Sequence, residues 1–143
     1  MDDGHELLVP GVKPADLPVV SVISIAALLH PGKQQVTVPP IEGSAKTRQM
    51  EVFERDADRE MTKDKMRLSL RIAAIHKHRE LILGALGCGA FGNPVEDVVD
   101  CWLEVLTENE FAGGWWKAIW FAVYDRQGEG NAEKFASLAG LKV

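Results

Sequence analysis

Four glycines, Gly84, Gly87, Gly89 and Gly92, punctuate the segment Leu81 to Trp102, LILGALGCGAFGNPVEDVVDCW, and lead directly into a helix start. Asn93 stands where a helix N-cap belongs, Pro94 at the first helical position, and Glu96 at the capping-box position. Glycines let a backbone turn with positive φ and approach a ligand without an intervening Cβ. Consecutive N–H groups can then point into one concavity, beside the positive end of the helix that begins at Pro94. A diphosphate fits that geometry best. Close helix–sheet packing alone also produces glycine-rich junctions, so the glycines leave both readings open. No Gly-Lys-Ser/Thr comes after them, which excludes a P-loop, and the spacing is not that of a dinucleotide fingerprint. Phe91 inside the loop is either a plug into the core or a platform for a ribose.

Other residues offer less. His76 and His78 are two apart at a helix end, so they point to different sides and suit C-capping better than a shared metal. His30 precedes Pro31 just past the end of an expected strand, where ligand sites of α/β proteins form. Glu51, Glu54, Asp56, Asp58 and Glu60 are interleaved with Arg48, Arg55 and Arg59, the pattern of a solvated face. A general acid for a glycosidic bond must have a raised pKa and so be partly buried. Glu54, Asp56 and Asp125 are the candidates for that role. Cys88 is explained by its small size, and Trp102, Trp115, Trp116 and Trp120 by a core. Cys88 and Cys101 lack zinc-like spacing, so no metal is expected, and no cofactor either.

The elements that must position the loop are set by patterning. Residues 1–18 carry closely spaced Gly and Pro and form an extended lead-in. Val19 to Ile25 (VVSVISI), Leu81 to Leu83 and Ala118 to Tyr124 are short apolar runs that suit strands covered on both faces. Gln34 to Val38 is a fourth, smaller strand, stopped by Pro39-Pro40, and residues 39–47 are a mobile loop. Arg48 to about Glu60 is charged and helix-compatible, and Met66, Leu68, Leu70, Ile72, Ala73 and Ile75 continue a helix. Pro94 to Thr107 is the clearest helix, and Asn131 caps a last short one. Strands alternating with helices imply right-handed parallel crossovers and an α/β sandwich in a single domain, 1–143.

With 46% hydrophobic and 26% charged residues and a net charge of −5, the chain is an ordinary globular one. The acidic balance excludes non-specific nucleic-acid binding, and no apolar run reaches the roughly 20 residues of a membrane span. A cytosolic or nuclear location is expected from the free thiols and the acidic start.

The run LILGALGCGAFGNP, the apolar helix after it and WWKAIWFAVYD together resemble the carboxyl-terminal half of the bacterial-type poly(ADP-ribose) glycohydrolase family, a branch of the macrodomain fold. VVSVISIAALLHP resembles an earlier strand of the same sheet, while Gly32 to Asp64 match poorly. The resemblance implies a truncated macrodomain-like α/β/α sandwich with a small, mostly parallel sheet that binds ADP-ribose or a related nucleotide. It places Gly87, Cys88, Gly89, Ala90, Phe91, Gly92 and Asn93 on the diphosphate and distal ribose, and Phe121 to Asp125 near the adenosine. Family enzymes carry a Gly-Gly-Gly loop followed by Gln-Glu-Glu upstream of the strand that resembles Val19 to Ile25. These 143 residues contain neither, and Gly113-Gly114 lacks the glutamates. The resulting expectation is a hydrolase of ADP-ribosyl compounds using another acid, ahead of a non-catalytic ADP-ribose-binding module and of an interaction protein. A sheet of so few strands has costly edges, to be covered by the lead-in or by a homodimer.

Overall fold

The computed structural model describes residues 11–13, 16–17, 19–39, 47–124 and 130–138. The elements run β1 (Lys33–Val38), β2 (Arg48–Phe53), α1 (Asp56–Ile75), β3 (Glu80–Gly84), α2 (Val95–Thr107), β4 (Ala118–Ala122) and α3 (Asn131–Leu138). This is an α/β fold with two small sheets. β1 and β2 form an antiparallel pair, and β3 and β4 a parallel pair joined through α2. Most of the expected lead-in, nearly all of the expected loop at 39–47, and Asp125 lie outside the described residues.

Two expectations are overturned. Residues 48–53, expected to be helical, form β2. Their polar side chains are used across the hairpin. Gln49 donates to the Thr37 hydroxyl directly opposite at 2.9 Å, and Lys33 pairs diagonally with Glu51 at 2.9 Å. Met50 and Phe53 are both buried, and Phe53 joins the main core, so this charge-rich strand is anchored there through Phe53. The helix starts only at Asp56. Second, Val19 to Ile25 runs without turn or bend but belongs to no sheet, so among the described residues the parallel sheet has two strands rather than three. β-branched residues favour extended backbone, but a ladder needs a partner strand alongside.

The core lies between the helices and one face of β3–β4. α1 contributes Met66, Leu70 and Ala73, and α2 contributes Val95, Val98, Val99, Trp102 and Val105, both at helical spacing. From the sheet come Leu81 and Leu83, paired in register with Ile119 and Phe121. Each such side chain, fully buried, contributes about 1.5–3 kcal/mol. The opposite face, with Ile82 beside Trp120, is open to solvent, where the continuous apolar runs suggest cover on both sides.

Ion pairs clamp α1 to α2. Arg59 bonds Asp97 at 2.7 Å and Glu104 at 2.6 Å, Lys63 reaches Glu104 at 3.1 Å, and Arg67 holds Glu108 at 2.7 Å. Buried Asp97 also accepts the Phe53 amide at 2.9 Å, which ties β2 to the start of α2. α1 ends as its basic turn suggests. His76 is the C-cap, and Lys77 takes a left-handed conformation, φ +61°.

Candidate phosphate-binding loop

β3 ends at Gly84 and α2 begins at Val95, so ten residues make the crossing. Gly87 (φ +75°) and Gly92 (φ +64°) supply the two left-handed turns. At Gly87 the backbone is also crowded, because a Cβ there would strike the Asn93 carboxamide and lie 2.6 Å from Ala27 Cβ. Gly89 differs. Its φ is not left-handed, and a Cβ added to it would meet nothing within 4 Å.

Asn93 is the centre of the loop rather than the helix cap. Pro94 takes the N-cap position, one residue later than expected, and no side chain caps the helix. The buried Asn93 amide instead donates to the Leu28 carbonyl at 2.7 Å and the Gly87 carbonyl at 3.1 Å, with Phe91 O at 3.4 Å. Its backbone N–H returns to Gly87 O at 2.9 Å, and Gly92 N–H to Gly89 O at 2.8 Å. The side-chain Oδ1 is buried with no partner among the described residues.

This closure leaves an open apex. Gly89, Ala90 and Phe91 are exposed, and among the described residues their three consecutive N–H groups find no acceptor. Successive backbone N–H groups without acceptors are of the kind that can bind an anion. Phe91, 41% exposed, is not a plug into the core. Cys88 is buried, and burial pushes its thiol up to about 12, with Glu96 adding to the effect. The thiol is therefore protonated at neutral pH and unsuited to nucleophilic attack.

His30 completes the surroundings. Its amide donates to Phe91 O at 2.9 Å, its backbone is left-handed (φ +46°), and a side chain at position 92 would come within 3.3 Å of its Nδ1. A non-glycine residue in this conformation is strained and marks a constrained site. Glu54 extends the same chain of contacts. Its amide donates to Gly32 O at 2.8 Å, and its carboxylate lies over Gly32, two residues from His30.

The remaining candidates are dispersed. Asp56 and Glu54 are both exposed rather than partly buried. Asp58 is buried, but hydrogen bonds from Arg55 hold its carboxyl below the usual range. Phe121 packs against Phe135 and Trp102 at ring separations of 4.9 and 6.1 Å, within the core. A carboxyl that the fold does raise is Asp100, lifted by burial and by Asp97. It lies well into α2, and no sequence pattern singles it out. Among the described residues no group of His, Cys, Asp and Glu could hold a metal, and no helix is long and apolar enough to cross a membrane.

Two solved structures share this arrangement of elements. Poly(ADP-ribose) glycohydrolase from Thermomonospora curvata, bound to the inhibitor ADP-HPD, superposes with a TM-score of 0.52 at 22% identity over 74% of this chain. A second structure of that enzyme gives 0.50 at 24% identity, again over 74% of the chain. The fold matches part of the macrodomain-like α/β fold of the bacterial poly(ADP-ribose) glycohydrolase. The chain spans rather less than half of the glycohydrolase, 46% and 44% of the two structures. No family model and no curated protein matches it. The glycohydrolase fold thus agrees with the resemblance drawn from LILGALGCGAFGNP and VVSVISIAALLHP.

Proposed function

We propose that residues Gly87 to Asn93 bind the diphosphate of an ADP-ribose-type nucleotide. The observation that carries this reading is the row of N–H groups at Gly89, Ala90 and Phe91 with no acceptor among the described residues, beside an open Gly89 and a half-exposed Phe91. Backbone donors suit a chain of net charge −5, because they hold an anion locally without a basic surface. In this reading Phe91 stacks on a ribose and His30 borders it. The T. curvata enzyme of the same fold binds ADP-HPD, which supports a ligand of this class.

A second reading is hydrolysis of an ADP-ribosyl compound, in which a bound ligand would have to bury the exposed Glu54 carboxyl for it to serve as the acid. Of the two candidate acids among the described residues, Glu54 and Asp56, Glu54 is the one linked to the loop by contacts, through Gly32 and His30. Incubation with NAD, ADP-ribose and poly(ADP-ribose), followed by chromatography, separates the two. Unchanged substrates with measurable ADP-ribose binding are expected for a binding protein. Adenosine monophosphate indicates pyrophosphate cleavage, and free nicotinamide indicates glycosidic cleavage. Loss of either product in Glu54→Gln would assign the acid. Failure to bind ADP-ribose at all would remove both readings.

A further inference from the structure

The amino-terminal end of the parallel pair, away from the glycine loop, carries a cavity of its own. Its volume is about 370 Å³, within the roughly 300–1,000 Å³ of small-molecule sites. Two turns form it, Lys77–Arg79 between α1 and β3 and Gly113–Trp115 ahead of β4. The Lys117 amide donates to the Arg79 carbonyl at 2.7 Å and stitches the two turns together. Left-handed backbone at Lys77 (φ +61°) and Gly114 (φ +73°) bends each of them. The glycine loop leaves the other end of β3, so the length of that strand, about 15 Å, separates the two places.

Lys77, His78 and Arg79 bring charge to one wall. Along α1, Arg59, Lys63, Arg67 and Arg71 each hold a carboxylate, and the nearby Glu80 is taken by Lys117 at 2.5 Å. Among the described residues the side chains of Lys77, His78 and Arg79 pair with no carboxylate. In a chain of net charge −5, neighbouring cations left unanswered make a local positive field. Offsetting the negative end of α1 accounts for Lys77, but Arg79 lies beyond the last turn, where that effect has faded. The other wall carries Trp115, 52% exposed. A Cβ on Gly113 would lie 3.4 Å from its Nε1, so bare backbone lets the indole lie against the turn. Cations beside a half-solvated flat ring suit a ligand with an anionic group and a planar one.

We propose that this cavity binds a nucleoside monophosphate, its phosphate on Lys77 and Arg79 and its base stacked on Trp115. The site is independent of the glycine loop and stands whether or not that loop holds a diphosphate.

The probe is adenosine monophosphate, titrated into the full ¹⁵N-labelled chain and followed by nuclear magnetic resonance, with adenosine and inorganic phosphate titrated separately. Adenosine monophosphate is expected to shift the amides of Lys77 to Arg79 and the Trp115 indole N–H together and saturably. Adenosine and phosphate, each supplying half of the contacts, are expected to bind there about tenfold or more weakly. Arg79→Ala and Trp115→Ala should each weaken adenosine monophosphate about tenfold or more. Arg79 joins the turns through its carbonyl, so truncating its side chain leaves that bond in place. Absence of these shifts at millimolar adenosine monophosphate, or shifts confined to Gly87–Asn93, would overturn the proposal. So would adenosine or phosphate binding as tightly as the nucleotide, a comparison made on the unaltered chain and therefore open even where a variant fails to fold.

Discussion

The Asn93 carboxamide donates to the Leu28 carbonyl across 65 positions of sequence, at 2.7 Å, and so fastens the glycine loop to the segment that leads into β1. The same NH₂ group reaches Gly87 O, so one side chain closes the loop upon itself and anchors it to a neighbour.

Removing that carboxamide should be costly. Asn93→Ala leaves the Leu28 and Gly87 carbonyls without their donor and is expected to lose about 1–3 kcal/mol. Asn93→Asp should be worse, because a carboxylate would face carbonyl oxygens. Urea denaturation measures both. A cost for Asp equal to or smaller than that for Ala would show that the donor is not what holds the loop.

The glycines should separate by position. Gly87→Ala imposes φ +75° on an alanine and drives its Cβ into Asn93 and Ala27, so a fall in melting temperature of several degrees is expected. Gly89→Ala meets nothing within 4 Å and should leave stability within about 0.5 kcal/mol of the original. Scanning calorimetry of the pair tests this, and equal losses would contradict the geometry.

Legibility in the sequence differs from element to element. α2 and the loop before it are legible because their signals are local: glycines, Asn93-Pro94 and a valine stripe. β2 is not, because Arg48–Phe53 becomes a strand only through its partner at Lys33–Val38, beyond the reach of any window on residues 48–60. Val19 to Ile25 shows the converse. Its composition reports a preference for extended backbone and says nothing of whether a ladder partner is present. Asn93 reads as a helix cap because a short carboxamide serves an N-cap and a loop interior by the same chemistry. Asp100 is raised by burial and by Asp97, and its burial is invisible in the sequence because packing rather than spacing sets it.

Both thiols should be silent. Burial pushes Cys88 and Cys101 up to about 12, so neither carries appreciable thiolate at pH 8. Ellman's reagent is expected to find no reactive thiol in the folded protein and two after denaturation. Rapid labelling of Cys88 in the folded state would reopen a nucleophilic role for it.

Acid should weaken the clamp between the helices. Hydrogen bonds from Arg59, and then Lys63, lower the Glu104 carboxyl from its ordinary 4.5 to about 2. A depressed carboxylate stabilises the fold above its unfolded value, and that contribution disappears as pH falls from about 4.5 to about 2. Glu104 is half-exposed, so its share is under about 1 kcal/mol. Glu104→Gln is expected to flatten the stability–pH curve in that window and leave the slope above pH 5 unchanged. A parallel offset at every pH would assign the loss to packing instead.

Whether exposed main-chain donors at Gly89 to Phe91 hold a diphosphate is decided by calorimetric titration of ADP-ribose into the unaltered chain and into Gly89→Val. A Cβ at position 89 meets nothing within 4 Å, so the fold should accept the valine, whose bulk beside the amides should hinder the ligand. Saturable one-to-one binding by the unaltered chain, reduced about a hundredfold or more in a variant that stays folded by circular dichroism, is the expected result. Undiminished affinity in folded Gly89→Val would show that the nucleotide does not lie against these amides.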